Sequence, residues 1–107
     1  MIYKFKSKAA GDVIMMGPAG DDVLRVIGKT PAAKGIIDAA AMPAAISAIE
    51  EAIAADEAAR AQAEKEAADA GTKLAPRDGI TLRQRAWPLV EMMKRSIGEK
   101  ADVVWGV

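Results

Sequence analysis

The chain has 107 residues, 15 basic and 15 acidic side chains, and neither Cys nor His. That length fits one domain over residues 1–107 with a single core, and the balanced charge offers no global field to recruit nucleic acid or an anionic membrane. Without Cys or His there is no disulfide framework, no thiolate nucleophile and none of the usual zinc or iron ligands, so neither a metal nor another cofactor is expected.

No apolar run approaches the ~20 residues of a membrane helix, and the first residues carry no signal-peptide pattern, so a cytoplasmic chain is the expectation. Charge is unevenly placed. Residues 50–70 hold seven acidic and two basic side chains, whereas residues 71–107 hold seven basic and four acidic ones.

Ile2 to Lys6 alternates, with Tyr3 and Phe5 on one face and Ile2, Lys4 and Lys6 on the other, which predicts a half-buried strand. Ser7 then stands where it can cap a short helix reaching about Met16. Val13, Ile14, Met15 and Met16 are four consecutive apolar residues, a run that fits a buried strand equally well. Gly17-Pro18-Ala19-Gly20 reads as a break, followed by a helix with Asp21 and Asp22 in its first turn and Val23, Leu24 and Ile27 on its buried face, ending at Gly28. Residues 29–42 form a connector in which Ile36 and Ile37 are the part expected to dock in the core.

A long helix follows from Pro43 to Ala70, ended by Gly71. Met42, Ile46, Ile49 and Ile53 recur at spacings of four, three and four and share one face. Beyond them, nine of the seventeen residues from Ala54 to Ala70 are Ala, the rest polar. The anchor stops while the helix continues, so its last turns are expected to protrude, with ion pairs such as Asp56 with Arg60. A loop over residues 72–79 leads to Thr81 and Gln84, which have the spacing of a capping box. Leu82, Ala86, Leu89, Val90, Met93 and Ile97 form an apolar stripe that stops before Gly98, and Pro88 inside it predicts a kink or a restart. Asp102 to Trp105 reads as a buried strand with Trp105 in the core. The expected fold is α+β: a two-stranded sheet from the N- and C-terminal segments with three or four helices packed on one face.

The segments KFKSKAAGDVIMMG, GIIDAAAMPAAISAIE, LRQRAWPLVEMMKR and VVWGV together resemble a family of short uncharacterised proteobacterial proteins classed as a domain of unknown function. The resemblance covers nearly the whole chain except the alanine-rich helix end and the following loop. It implies a small intracellular bacterial protein and carries over no activity, ligand or catalytic residue.

Catalytic constellations are absent from the residues. The Ser and Thr hydroxyls have no His to activate them, and adjacent carboxylates such as Asp21-Asp22 and Glu50-Glu51 diverge by about 100° on a helix. Gly28-Lys29-Thr30 lacks the earlier Gly of a phosphate loop and is followed by Pro31 in place of a helix. Gly17-Pro18-Ala19-Gly20 has the spacing of a backbone-clamping RNA loop, but Asp21 and Asp22 oppose phosphate. Arg83, Arg85, Trp87 and Lys94 form the candidate binding surface. On a regular helix Arg83, Trp87 and Lys94 share a flank, a base-plus-aromatic surface that suits anions or single-stranded nucleic acid. The plainer reading has Trp87 seal the edge of the core while the cationic stems cover apolar surface.

The leading expectation is therefore a non-catalytic bacterial interaction or regulatory protein that binds an unknown protein partner or a second copy of itself. One alternative is a nucleic-acid or anion-binding module using Lys4, Lys6, Lys8, Arg83, Arg85 and Lys94. Another is a small-ligand protein or enzyme with a pocket lined by Trp87, Trp105 and Met residues.

Overall fold

The computed structural model describes residues 2–73 and 81–107. β1 (Ile2–Ser7) and β2 (Ala10–Met16) form a hairpin, followed by α1 (Gly17–Val26), β3 (Gly35–Ile37), a single 3-10 turn at Ala39–Ala41, α2 (Met42–Asp69), α3 (Leu82–Glu99) and β4 (Val103–Trp105). The strands make one antiparallel sheet in the order β2-β1-β4-β3. The fold is α+β with the helices on one face. The sheet has four strands where the sequence analysis expects two.

The expected pairing of N- and C-terminal strands exists at the centre of that sheet, with Phe5 opposite Trp105 and Lys6 opposite Val104. Both additional strands are corrections. Residues 10–16 form β2 rather than a helix, because β1 offers them ladder partners from Ile2 opposite Met16 to Phe5 opposite Val13. Val13 and Ile14 are β-branched and suit that ladder. Ser7 caps no helix; its Oγ accepts the Ala9 N–H at 3.1 Å and fixes the hairpin turn. In the connector, Ile36 and Ile37 pair with Val104 and Val103 as β3, which buries Ile37 and leaves Ile36 exposed.

Gly17-Pro18-Ala19-Gly20 starts α1 instead of interrupting the chain. Pro18 occupies the first turn of the helix, where its fixed φ is pre-set and its missing N–H is unneeded. Asp21 and Asp22 consequently lie one turn further along than expected. Gly20 faces β1 so closely that a Cβ there would lie 2.0 Å from Tyr3 Cδ2. The helix backbone rests directly on the Tyr3 ring.

α2 follows the sequence pattern. Met42, Ala45, Ile46, Ile49 and Ile53 are buried, and no residue of the helix beyond Ile53 is. The arm protrudes as expected: the molecule measures 52 × 27 × 22 Å with a radius of gyration of 15.9 Å, against ~13 Å for a compact domain of this length. Arg60 with Glu64 and Gln62 with Glu66 pair along its surface at 3.1 Å each. Gly71, with φ 75°, ends the helix in the left-handed conformation expected of it. The expected loop between α2 and α3 falls, from residue 74 on, outside the described residues.

α3 opens with the expected capping box: Thr81 Oγ1 accepts the Gln84 N–H at 3.2 Å and Gln84 Oε1 accepts the Thr81 N–H at 3.0 Å. It continues through Pro88 as one helix and also through Gly98, ending at Glu99, beyond the expected stop. Lys100 takes the terminating left-handed position with φ 55°, and the Ala101 N–H closes onto the Ser96 carbonyl at 2.8 Å.

The core is the layer between the sheet and the three helices, built on Tyr3, Phe5, Met15, Val103 and Trp105 from the strands and on Leu24, Ile49, Leu89, Val90 and Met93 from the helices. Trp105, 2% exposed, belongs to it as expected, and its Nε1–H donates to the Ala32 carbonyl at 3.0 Å. Replacing Gly20 by Ala gives a test of sign. In an ordinary helix interior the change stabilises by about 1 kcal/mol, whereas here the steric conflict with Tyr3 should make it destabilising by about 1–3 kcal/mol. Denaturant unfolding of Gly20→Ala against the parent measures which effect wins.

Candidate interaction site

With all helices on one face, the sheet has an open face and two edges. The β3 edge is three residues long. The β2 edge is seven residues long, contains no Pro or Lys, and has Asp12 as its single charge. Charged side chains, Pro and shortness are the usual protections of a strand edge. β2 has little of any of them.

The side chains of β2 alternate across the sheet. Met15 is buried in the core and Val13 half-buried beside it, while Ile14 and Met16 project from the open face at 64% and 65% exposure. Ile2, opposite Met16 in the ladder, is 61% exposed and joins them. These three large apolar side chains form a contiguous patch on the open face at the β2 edge. Next to it Lys4 pairs with Asp12 at 3.5 Å, so the patch is bordered by a neutralised ion pair.

Beneath the β2 edge, on the helix side, runs a groove. One part, about 480 Å³, is bordered by the whole run Val13–Met16 and by Pro18, Arg85 and Pro88. It continues as a part of about 150 Å³ lined by Gly11, Val13, Pro88, Glu91 and Arg95. Pro88 and Val13 border both parts and mark the middle of the groove. α3 runs antiparallel to β2, with Arg85 near Met16 and Arg95 near Ala10.

The residues expected to form the binding surface divide between two sides of α3. Arg83, Trp87 and Lys94 do share a flank, with the Arg83 guanidinium 5.8 Å and the Lys94 ammonium 5.1 Å from the indole centroid. Trp87 lies outside the buried core and is 36% exposed. Arg83 Nε also donates to Glu57 Oε1 at 2.6 Å, tying α3 to the arm and raising the Arg83 pKa through that hydrogen bond and the charge of Glu57. Arg85 points elsewhere: it lies 3.6 Å from Asp22 of α1 and lines the groove. The other basic residues are dispersed as well, with Lys4 on Asp12, and Lys6 and Lys8 beside Lys100 and Asp102 in a separate cleft of about 470 Å³. The six cations of the nucleic-acid alternative do not form one track.

The hydroxyls of Ser7 and Ser96 are committed. Ser96 Oγ donates to the Met92 carbonyl at 2.7 Å, so in its 2.7 Å contact with Ser7 Oγ it is Ser7 that donates. Ser7 already accepts from Ala9, and its Oγ has no proton to give to a base. Trp87 and Trp105 lie on different elements, one exposed on α3 and one buried in the sheet core, and do not line a common pocket. Among the described residues no three His, Cys, Asp or Glu side chains cluster as metal ligands, and no helix is long and apolar enough to cross a membrane.

Residues 1–105 match the family described as a domain of unknown function, DUF1840. The chain belongs to that family. No curated protein and no solved structure matches it. The family membership agrees with the resemblance seen in the sequence and brings no site residues, so the groove stands on its geometry alone. The sequence reading did not find it: the one signal was the run Val13–Met16, apolar on both faces of what proved to be an edge strand.

One part-buried polar contact ties β1 to α1. The Tyr3 hydroxyl donates to Asp21 Oδ1, and that hydrogen bond, together with burial and the negative charge of Asp21, pushes the phenol up to about 12. Since the folded value exceeds the ordinary value near 10, the folded state holds this proton more tightly than the unfolded chain. The resulting stability is complete below about pH 10 and is lost as the pH rises through about 12. Tyr3 is the single tyrosine, so phenolate absorbance reads it directly. A midpoint near 12 that returns toward 10 in Asp21→Asn is the expected result.

Proposed function

We propose that this chain is a non-catalytic interaction module that takes an extended apolar segment as an added strand along β2. The observation that carries the reading is the edge itself: seven residues of unguarded strand, flanked by an exposed apolar patch above and a groove below. Strand addition uses both. The added backbone bonds to the free N–H and C=O groups of β2, and its alternate side chains enter the groove and cover the patch. Exposed apolar patches of this kind mark interaction sites in soluble proteins.

The committed hydroxyls of Ser7 and Ser96 and the absence of Cys and His from the sequence support a binding role over a chemical one. A cytoplasmic setting is consistent with the lack of Cys.

A fluorescent peptide of alternating Val and Thr, flanked by Lys for solubility, serves as the probe. Saturable binding is expected, with amide shift changes confined to β2 and the facing residues of α3, and Met16→Lys should weaken it by tenfold or more while leaving the thermal transition in place. Shift changes centred on Trp87, or no binding, would contradict the reading.

A second reading rests on the cleft lined by Lys6, Lys8 and Lys100, where three cations meet one carboxylate, Asp102. That composition suits a small anion. Binding of pyrophosphate that falls steeply with added salt and maps to those lysines would favour it over strand addition.

A further inference from the structure

Building on the strand-addition reading, we infer that the occupant of the groove is β2 of a second copy, paired antiparallel about a two-fold axis that passes Val13 and Pro88. The two four-stranded sheets then join into one of eight.

Val13 and Pro88 border both parts of the groove, so a two-fold axis there sets the part of about 480 Å³ in one copy beside the part of about 150 Å³ in the other. Antiparallel pairing about Val13 sets Met15 opposite Gly11 and Met16 opposite Ala10 of the other strand. Large side chains thereby meet small ones at both ends. Gly11 has open space where a side chain would stand, with no atom within 4 Å of an added Cβ. On α3 the same axis, passing Pro88, sets Arg85 of one copy toward Glu91 of the other, and Glu91 toward Arg85. Both residues line the groove. The two contacts are opposite in sign and occur twice by symmetry.

β2 carries little of the usual edge protection, with no Pro, no Lys and Asp12 as its one charge, which suits a strand that another strand covers. In the single copy β2 is an edge; in the pair it is central. The contact extends over about 24 Å of strand at ~3.4 Å per residue, and with α3 beside it falls at the low end of specific interfaces, which begin near ~1,200 Å² in total. An interface of that size is compatible with a micromolar dissociation constant, since area alone does not fix affinity.

Sedimentation equilibrium across micromolar concentrations should show a reversible approach to twice the 11.2 kDa monomer mass, and Ile14→Asp, at a 64% exposed position where it sets a carboxylate opposite Asp12 of the other copy, should raise the dissociation constant at least tenfold with the thermal transition retained. Because the sequence has no Cys, single cysteines give the register. Val13→Cys should form a disulfide with its own copy, whereas Asp12→Cys and Ile14→Cys should cross-link with each other when mixed and poorly with themselves. Arg85→Glu and Glu91→Arg should each weaken the pair and restore it when combined in one chain. A chain that stays monomeric yet binds the Val-Thr peptide along β2 would overturn this inference and leave the strand-addition reading standing. A monomer that also fails to bind the peptide would overturn both. A dimer indifferent to Ile14→Asp, or one cross-linked at other positions, would overturn the β2 pairing.

Discussion

Phe5 and Trp105 face each other across β1 and β4 with ring centroids 5.6 Å apart and planes at 62°, and Tyr3 stacks beside Phe5 at 5.9 Å. These three rings are most of the aromatic content of the chain and form a row along the centre of the sheet. Aromatic side chains bury more area than any others, so a row of them fixes where the rest of the apolar surface must go. Two glycines make the row possible. Gly20 lets α1 lie directly on Tyr3, and Gly35 of β3 leaves room for the Trp105 indole, whose Cζ2 would be 2.3 Å from a Cβ there. The ends of the described chain are thus joined at the middle of the sheet, and the helices are arranged over them.

That arrangement creates the candidate site. With α1, α2 and α3 all drawn to the aromatic face, the opposite face of the sheet receives no cover. Its two edges differ: β3 is too short to template much, whereas β2 is long, apolar and charged at Asp12 alone. The groove under β2 arises because α3 runs beside the edge strand and extends past it with Arg85, Pro88 and Glu91. Pro88 contributes in a specific way. It has no N–H to bond back to Gln84 and presents a flat apolar ring at the middle of the groove. The arm of α2 is a separate consequence of the same economy of core residues. After Ile53 no residue of the helix is buried, and Glu57 with Arg83 at 2.6 Å is one contact that ties it to α3.

Local signals in the sequence were sufficient for the elements that local chemistry decides. The alternation of Ile2 to Lys6, the Thr81–Gln84 box, the Ile spacing in α2 and the terminal apolar strand each specify an element without reference to the rest. β2 was ambiguous between helix and strand because its two local cues, Ser7 as a cap and Gly-Pro-Ala-Gly as a break, compete with a hairpin ladder that exists only once β1 is beside it. β3 escaped notice for the same reason: three residues between Pro31 and Pro43 become a strand only because Val103 and Val104 are there to bond. The flank of Arg83, Trp87 and Lys94 follows helical spacing and was legible, while Arg85, two residues from Arg83, necessarily turned to another side. The groove was not legible, since being an edge is a property of sheet order and not of any one strand.

The central claim is that β2, an edge in the single copy, is an interior strand when the protein is assembled. Amide hydrogen exchange at alternate residues of β2, those whose N–H points away from β1, addresses it most directly. Those amides face solvent in a lone molecule and are bonded in a joined sheet. The account predicts protection at those positions that grows with protein concentration while the amides bonded to β1 stay protected throughout. Fast exchange at the outward amides at every concentration would contradict it.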